Sequence, residues 1–167
     1  NEEIKSAQLK GKELFNNIGC ASCHMPTLPL KSLMFVEPGP LNTEISTTIV
    51  ESKKTLVVNL EDYVSMLDKD KDGNYLIPIW SDLKRHDMGS KLDNERPLQK
   101  GVPTNYWLTK KLWGFYSEPP FLHHGRANLL NDVIEMHQGD AKISSDAYFE
   151  LDSSEQQYLI EFLKSFK

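Results

Sequence analysis

At 167 residues, with 39% hydrophobic and 26% charged side chains, the chain is long enough to bury one core, and its composition does not divide it into independent domains. A net charge of −5 argues against nucleic acid or an anionic membrane surface as the main partner. No stretch approaches the ~18 apolar residues of a membrane-spanning helix, so no transmembrane segment is expected.

In chain order, Ile4, Ala7, Gly11, Leu14, Phe15 and Ile18 recur at helical spacing and predict an N-terminal helix that runs into "NNIGCASCHMPTL". Both cysteines of the chain lie in that stretch. Cys20, Cys23 and His24 form C-x-x-C-H, which reads as a c-type haem attachment site. Two thiols one turn apart can each add across a haem vinyl group while the next residue, His24, lies beneath the iron as its proximal ligand. A redox dithiol would be expected beside a βαβ pattern, and a structural zinc site wants four ligands, whereas the other histidines, at 86, 123, 124 and 137, lack zinc-finger spacing. One covalent haem c is therefore the expected cofactor. Its attachment belongs to an oxidising, extracytoplasmic compartment, so the chain is expected to start after a removed signal or inside a longer protein.

Residues 35 to 60 read as a long loop with a short hairpin, because Pro38, Gly39 and Pro40 break structure before runs rich in Thr, Val and Ile. In "DKDKDGN", Asp68, Asp70, Asp72 and Gly73 follow the opening of an EF-hand loop and make a weak Ca²⁺ candidate, although the twelfth position is Ile79 rather than Glu. Met88 has the best context for a sixth, thioether ligand to haem iron, since it follows Pro78 in an irregular segment and precedes Gly89. His86, His123 and His124 are the imidazole alternatives, and an open iron is the third. A further helix is predicted over "RANLLNDVIEMHQGD", with Leu129, Leu130, Val133, Ile134 and His137 on one side and Gly139 just past its end. A closing helix follows Asp152 and Ser153, whose spacing to Glu155 and Gln156 suits a capping box. Leu159, Phe162, Leu163 and Phe166 share its inner face.

These elements predict a mainly all-α chain, a class I cytochrome c-like fold around one covalent haem, enlarged by long loops and a short β-hairpin. Residues 1–167 would form one cytochrome domain. Gly11 offers a point where the terminal helices can approach closely.

The ordered blocks "GCASCHMPTL", "IPIWSDLKRHDMG", "LWGF" and "FLHHGRANLLNDVIEMHQGDA" resemble the C-terminal haem domain of the di-haem oxidoreductase family, relatives of bacterial dihaem cytochrome c peroxidases and of the MauG enzymes. The resemblance extends over nearly the whole chain. It implies a periplasmic or outer-surface location in a Gram-negative bacterium. The family's "SDL..HDMG" block falls on Ser81, Asp82, Leu83, His86, Asp87, Met88 and Gly89, which adds support to Met88 as a ligand. Its "LHDGRA" block falls on Leu122, His123, Gly125, Arg126 and Ala127, with His124 where Asp is usual. This implies that His123 and Arg126 lie near the haem, with Arg126 placed to pair with a propionate. Trp113 and Gly114 match "PLWG", although Lys111 replaces Pro and Leu108 replaces an Arg, and Trp113 would pack on the macrocycle.

Enzymes of the family use two haems, and this chain has one C-x-x-C-H. The favoured reading is an electron-transfer cytochrome domain working with a redox partner protein or an adjacent haem domain. The alternative is a peroxidase-like oxidoreductase in which His86, His123 or His124 supplies acid/base chemistry and Arg126 stabilises developing charge.

Overall fold

Helix α1 (Glu2–Asn17) follows from its pattern: Gly11 and Phe15 are buried, while Lys5, Lys10, Lys12 and Glu13 face solvent. The computed structural model describes residues 2–37, 56–93, 101–117 and 119–166. After α1 come strands β1 (Leu28–Pro29), β2 (Met34–Glu37) and β3 (Leu56–Asn59), helix α2 (Glu61–Val64), and strands β4 (Leu76–Ile77), β5 (Arg85–Asp87) and β6 (Tyr106–Leu108). Helices α3 (Leu130–Glu135), α4 (Lys142–Glu150) and α5 (Ser153–Leu163) complete the chain. It divides into two compact units, Asn1–Pro26 with Ile79–Lys167, and Thr27–Pro78.

In the first unit α1 packs on α5. A methyl group at Gly11 would lie 2.0 Å from the Tyr158 carbonyl oxygen and 2.7 Å from Phe162 Cβ, so the two backbones meet where only glycine fits. Phe15 lies edge-on to Phe162 at 5.4 Å, and both join Leu112, Leu130, Tyr148, Leu159 and Leu163 in the buried core. The expected capping box is present. Asp152 accepts from the backbone N–H of Ser154 and Glu155 at 2.8 and 2.9 Å, and the Glu155 carboxylate accepts from the Asp152 N–H at 3.1 Å. Asp152→Ala is expected to cost about 1 kcal/mol, read as a lowered thermal midpoint, with an unchanged midpoint counting against the cap.

The predicted helix over residues 126–140 is shorter, confined to Leu130–Glu135. Beyond it lies α4, which periodicity did not reveal. Its inner residues explain it: the Ser145 hydroxyl donates to the Ile134 carbonyl at 2.7 Å, and Tyr148 donates to Asn131 Oδ1 at 3.1 Å. Two polar contacts on a short helix of mixed composition replace the apolar stripe that periodicity looks for.

The second unit holds β1 against β4 and β2 against β3, both antiparallel, with Val64 and Tyr75 buried. The β2–β3 ladder pairs Phe35 with Val58 and Val36 with Val57, the hairpin anticipated within residues 35 to 60. Pro38, Gly39 and Pro40 lie outside the described residues.

The expectation of a mainly all-α, class I cytochrome c-like chain does not hold, because the described residues include three two-stranded antiparallel sheets. The physical reason is backbone accounting. Long connections must pair their N–H and C=O groups somewhere, and here they pair with one another in short ladders. Strands of two to four residues are too short for alternation to be legible. Among the described residues no helix is long and apolar enough to cross a membrane.

Candidate functional site

The chain leaves α1 through Gly19, at φ +92°, into a tight turn over Cys20–Ser22. The backbone N–H groups of Cys23 and His24 both donate to the Cys20 carbonyl, His24 at 3.0 Å. One turn thus carries both thiols and the following imidazole. Burial pushes the Cys20 thiol up to about 11 and raises Cys23 as well. Reactive dithiols have lowered values, so both shifts run opposite to those of a redox dithiol.

His24 is the inner residue of the turn. Its Nδ1 lies 3.2 Å from the Trp80 carbonyl oxygen, which fixes that nitrogen as a donor and leaves Nε2 with the lone pair. Trp80 is held at φ +53°, a conformation that costs a non-glycine residue on the order of 1–3 kcal/mol and is retained where surroundings enforce it. The enforcement is visible, because the indole packs edge-on against Phe15, Phe162 and Phe166 at 5.9, 5.4 and 4.9 Å.

His137 faces His24 with ring centres 6.5 Å apart. Its Nδ1 donates to the Val133 carbonyl at 2.7 Å, again leaving Nε2 as the nitrogen with a lone pair. Burial, then the neighbouring His137, pushes His24 down to about 4, against the carbonyls of Trp80 and Lys110 and the carboxylate of Asp82. Burial lowers His137 too. Both rings are therefore neutral at physiological pH, the form that binds a metal. With metal–imidazole bonds of about 2 Å, a separation of this size would let both rings bind one metal ion.

The segment after Trp80 is fastened by Ser81, whose hydroxyl donates to the Thr109 carbonyl at 2.8 Å. Burial works against the charge of Asp82, but hydrogen bonds from the Lys84 N–H, His86 and Thr109 outweigh it and hold the carboxyl below its ordinary range. His86 Nε2 sits 2.8 Å from Asp82 Oδ2, and Nδ1 is 3.8 Å from Asp140. Cys23, Asp82 and His86 bring donor atoms within 4.8 Å of one another, the one such group among the described residues. Three donors fall short of a structural zinc set, and a thioether at Cys23 would remove one of them.

Met88 is half-buried, with its N–H donating to the Asn105 carbonyl at 2.9 Å. Its neighbours press on the segment after His137: a methyl at Gly139 would meet the Asp87 carbonyl at 2.3 Å, and one at Gly89 would meet Gln138 Cβ at 2.7 Å. His123 is stacked on Trp107, with centres 3.8 Å apart and planes 18° apart, and its ring lies 4.5 Å from that of His124. Trp107 Nε1–H donates to the Leu92 carbonyl at 2.9 Å. Arg126 is exposed. Trp113 is 46% exposed beneath the Lys111 ammonium, 4.9 Å from its ring centre, so lysine at this position covers the indole. Asp70 spends both carboxylate oxygens on Asn74 and the Asp72 N–H, closing a local turn, and the Asn74 hydrogen bonds lower its pKa. Asp68, Asp70 and Asp72 form no three-donor group among the described residues.

The family described as "Di-haem oxidoreductase, putative peroxidase" matches residues 66–166, well over half of the chain. The chain belongs to the di-haem oxidoreductase family. No curated protein and no solved structure gave a significant match. Membership supplies haem as the cofactor and oxidoreduction as the chemistry. The matched span carries His86, Met88, His123, Arg126 and His137, while Cys20, Cys23 and His24 precede it. The donor set fits haem c: two thiols on one turn, an oriented neutral imidazole, and a second such imidazole at a separation that would let both bind one metal ion.

His137 is the residue near His24 that the sequence did not single out for the site. It was legible on the same helical side as Leu130, Val133 and Ile134, where an imidazole among apolar neighbours is the anomaly. Its distance from His24 in the chain hid the pairing.

Proposed function

We propose that this di-haem oxidoreductase chain is an electron-transfer module that would hold one haem c through Cys20 and Cys23, with His24 and His137 as the residues that would bind its iron. The observation that carries the reading is the 6.5 Å pairing of two half-buried imidazoles, each with Nδ1 committed to a backbone carbonyl. Haem c supplies a one-electron Fe(III)/Fe(II) couple. The protein's part is to keep both imidazoles neutral and oriented, so that the iron, when bound, would be closed to a substrate. His137 is favoured over Met88 because its ring already faces His24. Residues 27–78 form a compact unit inserted between the attachment turn and the rest of the haem-holding residues. The partner is a redox protein or an adjacent haem domain, and the compartment is the periplasm or outer surface of a Gram-negative bacterium.

Peroxidase chemistry is the second reading. The family description favours it, and so does the Asp82–His86 pair, whose imidazole is oriented for proton transfer.

The test is the optical spectrum of the oxidised and reduced protein, with carbon monoxide and peroxide added. A low-spin spectrum without a sulfur-to-iron charge-transfer band, inert to both additions, is expected. That band would assign the sixth position to Met88, and high-spin iron that reacts rapidly with peroxide would favour the enzyme. The pH dependence has a definite sign. Burial depresses both rings below the ordinary 6.5, so the neutral ligating form persists as pH falls past that value. The low-spin spectrum should therefore persist as pH falls from neutrality through 6.5. A transition centred at or above 6.5 would contradict the assignment.

A further inference from the structure

The loop that carries His124 is closed by the Phe121 N–H, which donates to the Ala127 carbonyl at 2.7 Å, and turns through Leu122 and Gly125, both at φ +67°. Within it, the Arg126 backbone N–H donates to His124 Nδ1 at 3.2 Å. A ring nitrogen that accepts a hydrogen bond carries no proton, so the ring's N–H is at Nε2. Nε2 is buried and has no partner, and among the described residues it is the one buried side-chain nitrogen or oxygen in that position. An unpaired buried donor costs on the order of 1–3 kcal/mol, and folded proteins rarely leave one without an acceptor.

The acceptor has to be sought at the site already described. His124 is joined to it step by step: its ring lies 4.5 Å from that of His123, which stacks on Trp107. Trp107 pairs with His86 across β5 and β6, and the next residue, Asp87, abuts Gly139, two positions beyond His137. Haem brings two carboxylates of its own, the propionates, which are strong acceptors for a neutral N–H donor.

We propose that His124 is a positioning residue whose Nε2–H donates to a haem propionate, an inference that rests on the haem c reading above. The residue sits where the family resemblance has Asp, and the exchange replaces an anionic acceptor, which would repel a propionate, by a donor that binds it. The hydrogen bond favours the ionised propionate over the protonated one, and it fixes the macrocycle's polar edge without touching the iron.

The experiment uses the haem-loaded protein and three variants, His124→Leu, His124→Gln and His124→Asp. Two properties are read: the propionate bending bands in the resonance Raman spectrum, and the bend in the curve of midpoint potential against pH that marks propionate ionisation. In His124→Leu the bands should shift, and the apparent ionisation constant should fall about tenfold. His124→Gln keeps a donor and should restore both properties, while His124→Asp should depart further than Leu. Identical bands and potential curves in wild type, Leu and Asp forms would overturn the proposal and leave a water molecule as the acceptor. If Leu fails to accumulate, wild type against Asp decides on the same readouts. Failure of the underlying reading looks different: the purified wild-type protein would carry no covalent haem before any variant is compared.

Discussion

Replacing His137 by alanine is expected to turn a closed, low-spin iron into a high-spin one, moving the protein from no detectable carbon monoxide binding to stoichiometric binding. The reason is geometric. His24 is held by the Trp80 carbonyl and by the turn around Cys20, so it stays in place, whereas nothing else in the α3 region presents an imidazole to it. His137→Met should keep the iron low-spin, introduce the sulfur-to-iron band and raise the midpoint potential, because a thioether favours Fe(II) more than imidazole does. Met88→Ala should leave spectrum and potential unchanged. The reverse pattern, with Met88→Ala opening the iron and His137→Ala silent, would move the sixth ligand to Met88 and with it the reading of the potential. Peroxide added to His137→Ala also addresses the enzyme: rapid turnover there and none in wild type would mean that the ligand is the only barrier to peroxidase chemistry.

Gly11→Ala is expected to be strongly destabilising. In an exposed helix the change would gain roughly 0.5–1 kcal/mol, so its sign is diagnostic. Here the added carbon would sit 2.0 Å from the Tyr158 carbonyl oxygen and 2.6 Å from its carbon. Both are backbone atoms of α5 and cannot swing aside as a side chain would. The helices must separate, opening the contact of Phe15 with Phe162 and, through Phe15, the support of Trp80. Overpacking of this kind costs about 3 kcal/mol or more, which at this chain length lowers the thermal midpoint by roughly 6–12 °C. Lys12→Ala, one residue along on the exposed face, is the control and should change little. A Gly11→Ala protein as stable as wild type would mean that the α1–α5 crossing is looser than the close approach at Gly11 indicates.

Several local features were open to inspection in the chain. The attachment turn, α1 and the capped start of α5 depend on neighbours within a few residues, and each appears where spacing puts it. A short hairpin was expected within residues 35 to 60, and β2 pairs with β3 there, but the register of that pairing joins strands about twenty positions apart and was not legible. Nor was the β5–β6 ladder, because its three-residue strands are too short to show a period. Its partners also come from separate stretches of the chain.

The candidate site divides along the same line. Cys20, Cys23 and His24 carry the proposed haem attachment by themselves, because thioether spacing is a property of one turn of backbone, and membership of the di-haem oxidoreductase family follows from residues 66–166 read as sequence. The second imidazole, the buried donor of His124 and the reach of Asp82 to His86 belong to tertiary structure. The proposed ligand pair rests on a distance between rings, and 113 positions of chain separate His24 from His137, so only the packing of the elements that carry them brings the two together.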